Sequence, residues 1–301
     1  FNKNRLLNSA YQLYKFIKNQ KPDLVFGTIR HLNILLGFYN LLFKNVRFIV
    51  REASVMSQMY KFSNSNKKIP NFLLKFLYKY LDAMVCQSND IKKDLKNQLD
   101  IKESKLIIIN NPITQIKPLS SRKIEESDKL KFITIGRLSE EKGYERILTG
   151  LSTVKNYSYS YTIIGSGPLE LKIKELANDL GILGKIKFIP YTSKVLDFLA
   201  ESDFFIQGSY VEGFPNAVLE SCYVGTPVIA FDCPGGTKEI IKDGINGFLT
   251  VDEYDFNETL QSLNKSLDFE RSVVRASVLS KFSSKKIVED YENLFLSVLK
   301  C

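Results

Sequence analysis

Two glutamates, Glu212 and Glu220, bracket the segment Gly213-Phe214-Pro215-Asn216-Ala217-Val218-Leu219, which follows the apolar run Phe204-Phe205-Ile206. Gly213 gives the backbone freedom beside a ligand, and Pro215 suits the first turn of a helix, where its missing N–H costs nothing. The stretch predicts a loop that opens into a helix, whose free N–H groups and positive dipole end favour a phosphate or a carboxylate. A carboxylate accepts two hydroxyl hydrogen bonds. Glu212 in the loop and Glu220, about one and a half turns into the helix, therefore suit the diols of a sugar and a ribose. Arg137 and Lys142, flanked by Gly136 and Gly143, follow another predicted strand. In open α/β sheets ligands bind at such strand ends. Two cations there can neutralise a diphosphate and stabilise it as it leaves with the electrons of a sugar bond. Each group also has a plainer reading, a solvated helix face for the glutamates and a capped surface turn for the cations.

The stretch from Ser209 to Ala230 resembles the signature of the retaining glycosyltransferases of family 4. The same family's motifs appear in its order at Gly136-Arg137-Leu138-Ser139-Glu140-Glu141-Lys142-Gly143, at Ile164-Gly165-Ser166-Gly167-Pro168, and at Gly235-Gly236-Thr237-Lys238-Glu239-Ile240-Ile241 running to Asn246-Gly247-Phe248-Leu249. The resemblance implies the GT-B fold, two Rossmann-like α/β domains facing each other across a cleft. It implies a donor that is a nucleotide diphosphate sugar, used as substrate with no cofactor and no metal, and an acceptor that is a glycan or is lipid-linked. The matching Arg137 and Lys142 would hold the diphosphate, Glu220 the ribose, Glu212 the transferred sugar, and the backbone of Gly213, Phe214, Pro215 and Asn216, through the N–H groups present there, the sugar and phosphates, with Gly136 and Gly165 as further donor contacts. The family's usual account is front-face transfer with retention. Many members place a histidine after the strand that here reads Phe48-Ile49-Val50, where this chain has Arg51-Glu52. The family's first domain also opens with a strand and a Gly-rich turn that are not visible here. The chain begins at Phe1 with a polar helix rather than a signal peptide or an initiating Met, so upstream sequence is expected to be missing.

A chain of 301 residues exceeds what one hydrophobic core usually serves, and helix and strand patterns alternate along it, which predicts two α/β domains with parallel sheets. Predicted strands cover 23–27, 46–50, 83–87 and 105–109, with helices over 4–20, 31–43, 70–81 and 88–98, the last N-capped by Ser88. Further strands are predicted over 131–135, 159–164, 185–189, 203–207, 226–230 and 247–250. The expected domains are 1–115, incomplete and on the acceptor side, and 130–282, binding the nucleotide sugar. A Pro-, Ser- and charge-rich linker over 116–129 joins them. Asn110-Asn111-Pro112-Ile113 resembles the family's turn at the end of the first domain, and a helix over 283–301 is expected to return to that domain.

The net charge of +9 is uneven: residues 1–130 carry 23 Lys and Arg against 10 Asp and Glu, whereas 131–301 carry 19 against 23. A nucleic-acid partner is disfavoured, because the acidic half holds the strongest motifs. The Lys and aromatic residues of 71–81 recur at helical spacing, which fits either packing on a sheet or an anionic membrane surface. No apolar run is long enough to span a bilayer. Cys86, Cys222, Cys233 and Cys301 form no CxxC pair and accompany one histidine, so a zinc site is not expected and a reduced, cytoplasmic protein is, peripheral to the membrane at most. That histidine, His31, stands at a strand-to-helix junction, where a general base is the weaker reading. A GT-B nucleotide-sugar epimerase and a non-catalytic nucleotide-sugar or glycolipid binder remain as alternatives. A dinucleotide oxidoreductase is disfavoured by the missing third glycine after Gly165 and Gly167.

Overall fold

A computed structural model describes residues 3–62, 71–114, 129–263 and 269–300, and the linker expected over 116–129 lies almost wholly outside them. The chain divides into two compact units, one of residues 1–110 and 287–301 and one of residues 111–286.

The first unit is built on four parallel strands, β1 (Leu24–Gly27), β2 (Arg47–Glu52), β3 (Ala83–Cys86) and β4 (Leu106–Ile108), in the order β1-β2-β3-β4. Phe48, Ile49, Val50, Met84 and Val85 are completely buried, the continuous apolar reading of strands covered on both faces. One covering element is the last helix, Ser284–Leu299, whose Ile287 and Leu294 pack on Ile49, Ala83 and Val85. Its Tyr291 meets Phe26 edge to face, with ring centroids 5.5 Å apart. Ser88 caps the helix Asn89–Leu99 by accepting from the Ile91 N–H, as its position in the sequence predicts. β2 runs two residues past the expected stop at Val50. Arg51 and Glu52 stay in register with Val85 and Cys86, and the Glu52 charge is tolerated in the strand because donors surround it.

The second unit holds six parallel strands, β5 (Lys129–Ile135), β6 (Ser158–Ile164), β7 (Ile186–Ile189), β8 (Phe204–Gln207), β9 (Val228–Phe231) and β10 (Gly247–Thr250). Their order is β10-β9-β8-β5-β6-β7. The chain starts in the middle, winds outward through β6 and β7, then crosses back to lay β8 beside β5 and winds out the other way. This is the doubly wound order whose direction reverses between the first and fourth strands, leaving a crevice at their carboxyl ends. Alternate residues feed two cores. Phe132, Phe204 and Ile206 face one, with the helix Tyr144–Thr153, and Ile133 and Phe205 face the other, with the helices Asn216–Tyr223 and Arg271–Phe282.

Candidate donor site at the sheet reversal

Residues 136–143 leave β5 at the reversal, and backbone packing fixes their path. The Gly136 N–H donates to Ile164 O and the Leu138 N–H to Ser166 O, so this loop lies against the one after β6. The glycines there are steric necessities. A Cβ on Gly165, whose φ is +149°, would sit 1.9 Å from Gly136 O, and one on Gly167 would sit 2.3 Å from Leu138 O. Glu140–Lys142 forms one 3₁₀ turn that ends in left-handed Gly143, where a Cβ would fall 1.9 Å from Gly208 O. The loops after β5 and β8 thus meet backbone to backbone at Gly143 and Gly208, and the turn carries Lys142 toward the β8 loop.

There Glu212 Oε1 accepts three hydrogen bonds, from Lys142 Nζ at 2.7 Å, Ser209 Oγ at 2.6 Å and Gln207 Nε2 at 3.0 Å. The Gly235-Gly236 pair holds this loop from behind. The Glu212 N–H donates to Pro234 O and the Gly236 N–H to Gly213 O. A Cβ on Gly235 would come within 2.4 Å of Glu212 O, and one on Gly236 within 2.4 Å of the Phe214 ring. Arg146 grips the start of the loop, donating from Nε to Gly208 O at 2.6 Å and from its terminal nitrogen to Ser209 O. Its guanidinium lies 3.6 Å from the Phe231 ring centroid and 4.2 Å from that of Tyr210. Burial lowers its pKa, so those carbonyls and rings solvate a charge largely removed from water.

Pro215 takes the N-cap position of the helix Asn216–Tyr223, not its first turn. Its φ of −77° and ψ of 98° are extended, and its carbonyl accepts the first helical bond, from the Leu219 N–H at 3.2 Å. Glu220 follows on the helix, and desolvation raises its pKa. A cavity of about 510 Å³ opens at this end of the sheet. Gly136, Lys142, Glu212, Phe214, Pro215, Asn216 and Glu220 all line it, so the structure brings these predicted residues together. Arg137 is exposed and outside the lining, and Gly165 and Gly213 are outside it too. Gly165 acts through the close approach of two loops.

The cavity also takes in Gln207 and the segment Tyr191-Thr192-Ser193 after β7, which motif spacing does not single out. Tyr191 is 84% exposed. The one signal for Gln207 is a polar residue closing a strand that is otherwise Phe204-Phe205-Ile206, and it is only 4% exposed.

In the first unit, Glu52, at the end of β2, is 3% exposed. Its Oε1 accepts from Asn33 Nδ2 at 2.8 Å and from the Tyr78 hydroxyl at 2.7 Å, and Arg30 Nε lies 3.7 Å from Oε2. Burial, reinforced by this carboxylate, drives the Tyr78 pKa far up. His31 is exposed in the first turn of the helix Arg30–Leu42. Among the described residues no cluster of three or more His, Cys, Asp or Glu is placed to hold a metal, and no helix is long and apolar enough to cross a membrane.

The chain is 30% identical over 258 residues to an uncharacterized glycosyltransferase of Methanocaldococcus jannaschii, a match that covers 80% of this chain and 63% of that relative. The chain thus spans less than two thirds of that protein's length. It is 25% identical over 261 residues to a Campylobacter jejuni protein described as N-acetylgalactosamine-N,N'-diacetylbacillosaminyl-diphospho-undecaprenol 4-alpha-N-acetylgalactosaminyltransferase, covering 86% of this chain and 71% of the relative. The fold matches that of the Anabaena protein HepE in complex with UDP and glucose, with a TM-score of 0.82 at 15% identity over 99% of this chain and 83% of that one. Residues 2–115 match Glycosyltransferase Family 4 and residues 117–276 match Glycosyl transferases group 1, so with its two α/β units this chain belongs to the group 1, family 4-like glycosyltransferases of GT-B fold.

Proposed function

We propose that the chain is the catalytic part of a retaining glycosyltransferase that moves a sugar from a nucleotide diphosphate sugar to a glycan or lipid-linked acceptor. One observation carries this reading: the cavity at the sheet reversal gathers a lysine, two carboxylates and a helix N-terminus within a single α/β unit. In it the diphosphate lies at the start of the helix Asn216–Tyr223, with Lys142 and the solvent-facing Arg137 taking up charge as it leaves. Glu220 accepts from the ribose hydroxyls. Its raised pKa is the mark of a desolvated carboxylate that gains when hydroxyl donors reach it. Glu212, anchored through Oε1, offers Oε2 to a hydroxyl of the sugar. The bond from the anomeric carbon to the diphosphate oxygen breaks, and the acceptor oxygen bonds that carbon on the same face. The acceptor's proton passes to the departing phosphate, so no protein base and no metal or other cofactor is invoked.

The name of the Campylobacter relative includes a diphospho-undecaprenol, which favours a lipid-linked acceptor here as well. The helix Asn71–Tyr80 fits that acceptor. Phe72, Phe76 and Tyr80 form an exposed stripe at helical spacing, 75%, 49% and 42% exposed, and Lys79 and the Lys excess of residues 1–130 add charge suited to anionic lipid. The buried free thiols Cys86, Cys222 and Cys233 suit a reducing compartment, so we place the protein on the cytoplasmic face of a membrane, in the synthesis of a surface glycan.

The test is isothermal titration of wild type, Glu220→Ala and Lys142→Met with UDP, GDP and ADP and their sugars, followed by NMR of the product anomer with and without EDTA. Binding of one diphosphate that both variants weaken at least tenfold, and a product that keeps the donor's anomeric configuration in EDTA, are expected. A folded wild type that binds none of them, or variants that bind as wild type does, would overturn the donor site.

A further inference from the structure

Glu212 Oε1 receives three donors while Oε2 accepts no hydrogen bond among the described residues. One of the three donors has other work. On the donor-site reading, Lys142 must turn part of its charge to a leaving diphosphate, which loosens its hold on the carboxylate at the moment of transfer. The two neutral donors remain, and Gln207 is itself oriented. Its Oε1 accepts from Thr237 Oγ1 at 3.2 Å, and Thr237, completely buried, is also in contact with Cys233 Sγ at 3.6 Å. A carboxylate only accepts, so it demands the NH₂ end of the amide, and the threonine hydroxyl supplies the donor for the other end. The amide therefore has one satisfying orientation, and it is held inside the protein rather than by solvent.

We infer that Gln207, seated on Thr237, is a positioning residue for the transferred sugar: it pins Glu212 through Oε1 and so aims Oε2 at the sugar. This rests on the donor-site reading and deepens it, assigning the Gly235-Gly236-Thr237 turn the task of supporting the carboxylate rather than touching the ligand.

Sugar recognition by Glu212 is thereby separable from nucleotide recognition, for which Glu220 and the helix N-terminus line the same cavity. Gln207→Leu and the milder, isosteric Thr237→Val are titrated with UDP, GDP and ADP and with UDP-glucose, GDP-mannose and ADP-glucose. The expected result is an unchanged affinity for the free diphosphate and a roughly five- to tenfold loss of whatever the attached sugar adds, larger for Gln207→Leu, the scale of one hydrogen bond. Equal losses for diphosphate and sugar nucleotide, or none for either, would overturn the inference.

Gln207→Glu supplies a readout that does not depend on any ligand. Two carboxylates at this spacing share one proton, and the apparent pKa of the pair rises above the ordinary value of about 4.3. The folded variant then holds more protons than the unfolded chain above that pH, so its stability relative to wild type falls as pH rises through the window. Lys142, Tyr144 and Cys233 also face Glu212. Burial pushes Cys233 up to about 12 and Tyr144 further, so neither titrates between pH 4 and 9. Melting of Gln207→Glu that tracks wild type in parallel over that range would refute the Gln207–Glu212 contact itself. If no diphosphate binds wild type while the melting difference grows with pH, the donor-site reading fails and the contact stands.

Discussion

Replacing Gly165 by alanine tests whether the loops after β5 and β6 are locked together as the geometry requires. The new Cβ would stand 1.9 Å from Gly136 O, and real Cβ contacts do not fall below 3.0 Å, so the loops must part by at least 1.1 Å. Gly165 also has φ at +149°, where a side chain costs about 1–3 kcal/mol, and forcing packed backbone apart costs a further 1–3 kcal/mol or so. The total of about 2–6 kcal/mol lowers the melting temperature of a unit this size by roughly 4–24 °C. The shift would carry Gly136 and the turn bearing Lys142 with it, so nucleotide binding falls as well. Gly181→Ala is the control. It too has positive φ, +69°, but nothing lies within 4 Å of its added Cβ, so it bears strain alone, about 1–2 kcal/mol, and leaves the cavity intact. Scanning calorimetry and diphosphate titration of both variants decide the matter. If Gly165→Ala melts no lower than Gly181→Ala and binds as wild type does, the close approach of the two loops is not what that glycine serves.

Glu220→Gln removes a carboxylate whose folded pKa is raised by desolvation. The folded protein then binds more protons than the unfolded chain above the unfolded pKa of about 4.3, so wild-type stability falls as pH rises through that window and up to the folded value. The variant should therefore melt increasingly above wild type across the same range and match it in more acid solution, while losing affinity for the diphosphate. A constant offset at every pH would refute the desolvation argument. Lys142→Met leaves a side chain of Glu212 that is 11% exposed with two neutral donors, and should cost about 1–3 kcal/mol by urea titration together with a roughly 10²–10³-fold fall in kcat. Unchanged stability would mean that the ion pair is incidental. Arg146→Lys cannot span Gly208 O and Ser209 O from one point charge or stack between Tyr210 and Phe231, and should lower stability by about 1–3 kcal/mol by the same titration. Stability within error of wild type would deny the clamp.

The strands were legible because a parallel strand covered on both faces writes itself as an unbroken apolar run. Phe204-Phe205-Ile206 and Val228-Ile229-Ala230 need no alternation to be found. The same rule hid the end of β2, since charge at Arg51 and Glu52 reads as a stop until Asn33 and Tyr78, from two other elements, are seen to donate to the Glu52 carboxylate. At the candidate site, Glu212, Glu220 and Lys142 were legible because their spacing is local to a loop, a helix turn and a 3₁₀ turn. Arg146, Gln207 and Thr237 were not. Each acts on a partner on another element, and beyond the polar residue that closes Phe204-Phe205-Ile206-Gln207 nothing in the neighbouring sequence marks a guanidinium that will solvate two carbonyls or an amide that will face a carboxylate.

The glycines show why such sites read more easily as motifs than as mechanisms. Gly143, Gly165 and Gly235 would each collide with the backbone of a different loop, at Gly208, Gly136 and Glu212, so loop-to-loop contact by itself accounts for all three glycines. A run of glycines at strand ends is compatible with a phosphate cradle or with a stack of touching loops, and spacing alone does not separate the two. Geometry does so here. Gly136 lines the cavity, whereas Gly143, Gly165 and Gly235 are not among the residues that line it. Substituting the three hidden positions should damage stability and binding together. Substituting Gly136, whose nearest neighbours are the Tyr144 hydroxyl at 3.6 Å and the Lys142 stem at 3.9 Å, should leave melting nearly unchanged and narrow the cavity alone. Gly136→Ala that unfolds the chain as readily as Gly165→Ala would break this division between wall and ligand face.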